Sequence, residues 1–193
     1  MDIERPKSKQ PIPAHAKRVF SGRIFDVYQW EQEMFDGTTE TFERIWRLPT
    51  VEIIATVGDK ILIEEQDQPD RKNNITLVAG RADHSEDMLA EAKRELLEET
   101  GHQSDDWQLL FTHASHEKII HDAHFFIARN CKKVQEQQLD PGEKIQPKLI
   151  DFERFIMLTE EPRFWCSPYF VPYLLRLQID PIKKEAFRKL LFP

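Results

Sequence analysis

The chain has 193 residues, 40% hydrophobic and 32% charged, with a formal net charge of −7 at pH 7. That composition is ordinary for a soluble globular protein able to bury one sizeable core. The acidic balance argues against a nucleic-acid backbone as partner, and no apolar run approaches the ~18 residues needed to span a membrane.

Residues 1–16 are polar, carry Pro6, Pro11 and Pro13, hold no apolar stretch resembling a secretion signal, and read as a disordered tail. Residues 23–34, rich in β-branched and aromatic side chains, read as a strand. Asp36-Gly37 is a hairpin turn signal, and residues 39–48 form the partner strand, which Pro49 ends. Residues 50–57 and 60–66 make a second strand pair across Gly58-Asp59. A polar loop, 67–74, leads to a short strand at 75–78. Further on, 107–112 and 123–129 are strands, 131–142 is a loop, and 144–150 is an edge strand because it contains Pro147. The last third turns helical, at 151–158, at 169–177, and from Asp180-Pro181 to about residue 191, where Asp caps and Pro opens the final helix. Strands interleaved with helices predict an α/β fold with a mixed sheet packed between helices. Two cysteines, Cys131 and Cys166, form no CxxC pair and suggest a reducing, cytoplasmic setting.

Residues 80–102 hold the most informative pattern. Gly80 is followed after five residues by Glu86. Seven residues later comes Arg94-Glu95-Leu96, then one residue, Glu98-Glu99, one residue, and Gly101. Ser85 is the expected N-cap of a helix, with Glu86 and Asp87 at its positive end. Leu89, Ala92, Leu96 and Leu97 supply its apolar stripe, and Gly101 its left-handed cap. On such a helix Glu95, Glu98 and Glu99 lie at i, i+3 and i+4 and share one face. Like charges that close repel unless something positive sits among them. Hard divalent cations such as Mg²⁺ take carboxylate oxygens together with substrate phosphates, so the pattern points to a metal site acting on a phosphorylated molecule. Arg94, four residues before Glu98, is placed to steer a carboxylate. The competing reading is a solvated acidic face.

The spacing of Gly80, Glu86, Arg94-Glu95-Leu96, Glu98-Glu99 and Gly101 resembles the signature of the Nudix hydrolases, which cleave diphosphates linked to nucleosides with a divalent metal. The resemblance implies an α/β/α sandwich in which Ala79 (through its carbonyl), Glu86, Glu95, Glu98 and Glu99 hold Mg²⁺, with Mn²⁺ as a substitute, and Arg94 orients the glutamates. Metal-bound water would attack phosphorus in an in-line displacement. Beyond this segment, the layout is similar to the ADP-ribose pyrophosphatase branch. There an antiparallel hairpin, here residues 17–49, serves as a dimerisation element before the catalytic domain, here 50–193 with its C-terminal helices. A loop glutamate often acts as base in that branch, which makes Glu143 the candidate, with Glu98 as the alternative. Trp30 and Trp46 lie on the hairpin as candidate base-stacking residues or as packing residues.

Several positions depart from the branch. Its usual Glu-Leu-Pro-Ala-Gly is Thr76-Leu77-Val78-Ala79-Gly80 here, and its Gln-Tyr-Arg is Gln66-Asp67-Gln68, with Arg71 as a candidate replacement for the lost arginine. No proline occurs between Gly101 and Pro141, and the last position of the segment, normally aliphatic, is His102. His113, His116, His121 and His124 crowd the region where substrate selectors lie, with His116 as a candidate phosphate or sugar contact beside Gly80. The expected function is therefore hydrolysis of a nucleoside diphosphate sugar of the ADP-ribose class to a nucleoside monophosphate and a sugar phosphate. The alternatives are a GDP-sugar (GDP-mannose-like) pyrophosphatase and a non-catalytic nucleotide-sugar sensor.

Overall fold

A computed structural model describes residues 11–82, 87–115 and 118–193. In chain order it contains β1 Lys17–Ser21, β2 Phe25–Glu33, β3 Thr39–Arg47, β4 Thr50–Val57, β5 Lys60–Gln68, β6 Arg71–Thr76, β7 Val78–Arg81, α1 Met88–Thr100, β8 His102–Gln103 and β9 Asp106–Ala114. There follow β10 Ile119–Ile120, β11 Asp122–Arg129, β12 Lys132–Lys133, β13 Lys144–Ile150, α2 Phe152–Ile156, a 3₁₀ turn Met157–Glu160, α3 Val171–Ile179 and α4 Pro181–Leu191.

The central sheet runs β13-β5-β4-β11-β9, with β6 paired to β5 and β7 to β4. It is mixed: β11 lies parallel to β4 and antiparallel to β9. Strand β4 reads as an almost continuous apolar run because both of its faces are covered. Val51, Ile53, Ala55 and Leu62 pack with Met88, Ala92 and Leu96 of α1 on one face. Ile54, Ile61, Ile63, Phe125 and Ile127 pack with Phe152, Phe155, Phe170, Leu174 and Phe187 on the other. Helix, sheet and helices form the expected sandwich. Each large apolar side chain so buried contributes about 1.5–3 kcal/mol.

A second sheet, β1-β2-β3-β10, precedes and flanks this core. The hairpin β2–β3 keeps unbroken register from Phe25↔Arg47 to Glu33↔Thr39, and the Asp36 side chain braces its turn by accepting from Thr38 N and Oγ1.

Four local expectations change. Strand β1 is added to the hairpin and was not anticipated. The stretch expected as a polar loop, 67–74, is mostly the ends of the β5–β6 hairpin. The short strand expected at 75–78 is divided: β6 ends at Thr76, Leu77 intervenes, and β7 crosses to pair with β4, so Gly80 itself lies in a strand opposite Val51. Asp87 rather than Ser85 caps α1, accepting from Leu89 N and Ala90 N at 3.0 and 3.1 Å; Ser85 lies outside the described residues. At the other end Gly101 adopts φ 72° and donates its N–H to Leu97 O. Only glycine takes that conformation without cost.

Candidate active site

The acidic face of α1 is turned toward β7. Strand β7 pairs with β4 and puts Gly80 on the α1 side, where the Glu95 side chain lies directly over it. A β-carbon at Gly80 would fall 1.9 Å from Glu95 Oε1, so glycine is what permits the approach. One turn on, Glu99 points inward and its Oε2 accepts from Ala79 N at 3.3 Å. Glu99 is buried, Glu95 largely so, and Glu98 lies nearer the surface.

Arg94 sits among these acids. Its guanidinium donates to Glu95 Oε1 at 2.5 Å, to Glu98 Oε2 and to Glu91 Oε1. Burial works against its charge, but the Glu91 hydrogen bond and the Glu95, Glu91 and Glu98 carboxylates outweigh this and raise its pKa. The arginine thus offsets part of the repulsion among three glutamates on one helix face.

A third wall comes from residues 131–143. Val134 N donates to Gly101 O, Gln138 N to Glu98 O, and the Gln137 amide to both Glu99 O and Ile145 O. These bonds pin the loop to the last turn of α1 and occupy carbonyls left without helical partners. They deliver Glu143 to the cluster, where its carboxylate accepts from Asp140 N. It feels the charges of Glu98 and Arg94. A cleft of about 390 Å³ opens beside it, lined by residues including Gln66, Asp67, Asn73, Leu139 and Glu143. A larger depression of about 610 Å³ lies at the far end of the sheet, around Lys60, Phe152 and Arg188, and holds none of these acids.

From beneath, the fully buried Glu64 of β5 faces the same group. Burial lifts the Glu95 carboxyl to about 7, with Arg94 opposing and Glu91 and Glu98 adding to the rise. Burial and then neighbouring glutamates raise Glu64 and Glu99 well above the ordinary range, and burial raises Glu143. So many carboxylates in a low-dielectric site call for positive charge. Among the described residues, no three Asp, Glu, His or Cys side chains converge tightly enough to hold an ion as they stand, and Arg94 occupies an oxygen each of Glu95 and Glu98. The donor set is nevertheless all oxygen, partly buried and acidic. It includes one buried carboxylate oxygen, Glu64 Oε1, that has no hydrogen-bond partner. That chemistry fits a hard divalent cation.

Of the residues singled out in the sequence, Ala79, Gly80, Arg94, Glu95, Glu98, Glu99 and Glu143 come together here. Glu86 and His116 lie outside the described residues. Trp30 is buried in the N-terminal sheet, edge-on to Phe42 and beneath Arg44, and Trp46 is paired with Ile120 in the same sheet. Arg71 stacks on the face of Trp165, 3.9 Å from its centroid, at the tip of the β5–β6 hairpin. The histidines divide. His113 stacks on Tyr169 at 3.7 Å, His121 bonds Thr50 Oγ1 at 3.1 Å, and the buried His124 bonds Thr112. The sequence reading missed Glu64, Glu91 and Gln137. Glu91 was findable from its i−3 spacing to Arg94, and Glu64 from alternation with the apolar Leu62 on β5. Nothing local marks Gln137.

The model of the NUDIX domain family matches residues 46–172. Among curated relatives, the methanol dehydrogenase activator of Bacillus methanolicus is 24% identical over 155 residues, covering 78% of this chain and 84% of the relative. The ADP-ribose pyrophosphatase of Bacillus subtilis (strain 168) is 23% identical over 174 residues, covering 87% and 94%. Among solved structures, a crystal structure of an ADP compounds hydrolase matches with a TM-score of 0.69 at 20% identity, covering 89% of this chain and 95% of that one.

Proposed function

Because the chain belongs to the Nudix family, we propose that it is a divalent-metal-dependent hydrolase cleaving the diphosphate of a nucleoside diphosphate sugar, ADP-ribose class, into a nucleoside monophosphate and a sugar phosphate. The observation that carries this reading is Glu95 lying over Gly80 and Glu99 over Ala79, with Glu98 beside them on the helix and Glu143 brought in by a loop tied to the same helix. Glu95, Glu98 and Glu99, with the Ala79 carbonyl, are the residues that would hold Mg²⁺ or Mn²⁺, and Glu86 is proposed as an outer ligand. A bound divalent cation lowers the pKa of coordinated water and offsets charge on diphosphate oxygens.

The protein's own groups do the rest. Glu143 takes the proton from the attacking water; burial raises its pKa and makes it a stronger base than an exposed carboxylate. Glu98 is the alternative base. Arg94 holds Glu95 and Glu98 in orientation. Gly80 lets the backbone and Glu95 approach each other without a side chain between. Arg71 and His116 are proposed substrate contacts. Trp46, half-buried, is proposed to reach a site through dimerisation, while the buried Trp30 packs within the sheet. Exposed Val19, Phe20 and Phe25 on the N-terminal sheet support a homodimer formed there. The free cysteines accord with a cytoplasmic setting.

The name of the Bacillus subtilis relative supports ADP-ribose as first substrate. The Bacillus methanolicus relative is named for activating another enzyme and so does not choose among sugars. A GDP-sugar remains the second reading, because Gln66 bonds Thr76 where the branch has an acid, and Asp67 and Gln68 replace its Tyr-Arg. No helix among the described residues is long and apolar enough to cross a membrane. The test is a substrate panel with Mg²⁺: ADP-ribose, ADP-glucose, GDP-mannose, UDP-glucose, NADH and diadenosine polyphosphates. Release of AMP or GMP supports the enzyme; tight binding without turnover would mean a sensor.

A further inference from the structure

Glu64 is the acid of this site that neither α1 nor the 131–143 loop provides. It lies on β5 two residues after Leu62, which packs in the α1 layer, so its side chain rises from the sheet toward α1. Its relative exposure is 0%. Oε2 accepts from Thr76 Oγ1 at 3.5 Å, and Thr76 in turn accepts from the Gln66 amide at 2.6 Å. This relay holds the carboxylate upright. Oε1 is buried and meets no donor, while the carboxyl lies within hydrogen-bond reach of the Glu99 side chain and feels the charges of Glu143 and Glu95. Isoleucines at 61 and 63 and Leu62 show that the strand accepts aliphatic residues. An ionised carboxylate there costs several kcal/mol unless it takes up a proton or something positive meets it. Thr76 is the cross-strand Cα partner of Glu64, so the hydroxyl that bonds the carboxylate stands directly across the ladder.

We propose that Glu64 supplies a further carboxylate ligand, from the sheet floor beneath Glu99, to the divalent cation held by the α1 glutamates. This rests on the metal-dependent reading above and adds to it a donor outside the 80–102 segment. A ligand fixed in a strand by Thr76 and Gln66 is more rigid than one on a side chain that Arg94 also claims. It gives the site a fixed point.

The experiment is titration of the full chain with Mn²⁺, following free Mn²⁺ by electron paramagnetic resonance, for the wild type, Glu64→Gln and Glu64→Met. Glu52→Gln serves as the control, since Glu52 is a buried acid on the other face of the sheet. Glu64→Met removes the buried charge at similar volume and keeps the test open should the glutamine variant fold poorly. Both Glu64 variants are expected to bind Mn²⁺ at least about tenfold more weakly, the scale seen when a supporting ligand is lost. They should also lose most of the Mn²⁺-induced rise in Tm, while Glu52→Gln keeps both. Wild-type affinity and stoichiometry in either folded Glu64 variant would overturn the proposal and leave the hydrolase reading intact. Conversely, weakened Mn²⁺ binding in a protein that cleaves nothing on the panel would uphold Glu64 as a ligand and sink the hydrolase reading.

Discussion

Gly80 and Glu95 are locked to each other across the gap between sheet and helix: a β-carbon on the first would lie 1.9 Å from Oε1 of the second. Gly80→Ala should therefore push the Glu95 side chain off its position while the backbone of β7, with φ outside the left-handed region, tolerates alanine. We expect kcat/KM to fall at least about tenfold, the loss that misplacing a catalytic-site group by a fraction of an ångström brings. The far-UV circular dichroism should stay unchanged. Full activity in Gly80→Ala would mean that the Glu95 position does not matter.

Substitution of the acids should separate their roles. Glu98→Gln or Glu99→Gln is expected to lower kcat at least about a hundredfold, as for loss of a metal ligand or base. Glu143→Gln should lower kcat on a similar scale with little change in Mn²⁺ affinity, because Glu143 is assigned to the proton and not to the cation. Steady-state kinetics paired with Mn²⁺ titration reads both, and wild-type turnover in Glu143→Gln would pass the base to Glu98.

Stability at the end of α1 hangs on Gly101. Its φ of 72° is costly for any other residue, and a β-carbon there would meet Gln135 O at 2.1 Å. Gly101→Ala should cost about 1–3 kcal/mol, seen as a lower Tm. It should also loosen the loop that carries Glu143, since Val134 N and Gln135 N donate to Gly101 O. An unchanged Tm would contradict this.

His121 makes stability depend on acid. Burial first, then Arg47, His113 and His124, hold its pKa down at about 4 against an ordinary 6.5. The unfolded chain thus binds the proton more readily than the folded one. Stability is complete above about pH 6.5 and declines as pH falls toward 4. His121→Asn, which keeps a polar group near Thr50 without titrating, should flatten that part of a denaturation-versus-pH profile. An unaltered slope would show that His121 is not its source.

Local signals carried much of the fold. The 3.6-residue stripe of α1, the Asp36-Gly37 turn, the apolar strand β4 and the Pro147 edge strand were all legible, because each depends on neighbours in sequence. Helix capping was misplaced by two residues, since Ser85 and Asp87 are both competent caps and only the path of the chain decides between them. The β6–β7 division could not be read at all. It depends on which strand each half finds as partner, a long-range choice. The site follows the same rule: the glutamates of α1 came from spacing alone, and alternation on β5 puts Glu64 on the α1 face, whereas Gln137 enters through a loop contact that no local pattern encodes.

The most direct test is to incubate ADP-ribose and GDP-mannose with Mg²⁺ and either the wild type or Glu98→Gln/Glu99→Gln, and to resolve the products by anion-exchange chromatography. The account predicts a nucleoside monophosphate and a sugar phosphate in equal amounts from the wild type, none with chelator, and none from the double variant. Equal product from both proteins, or turnover that survives removal of every divalent cation, would contradict it.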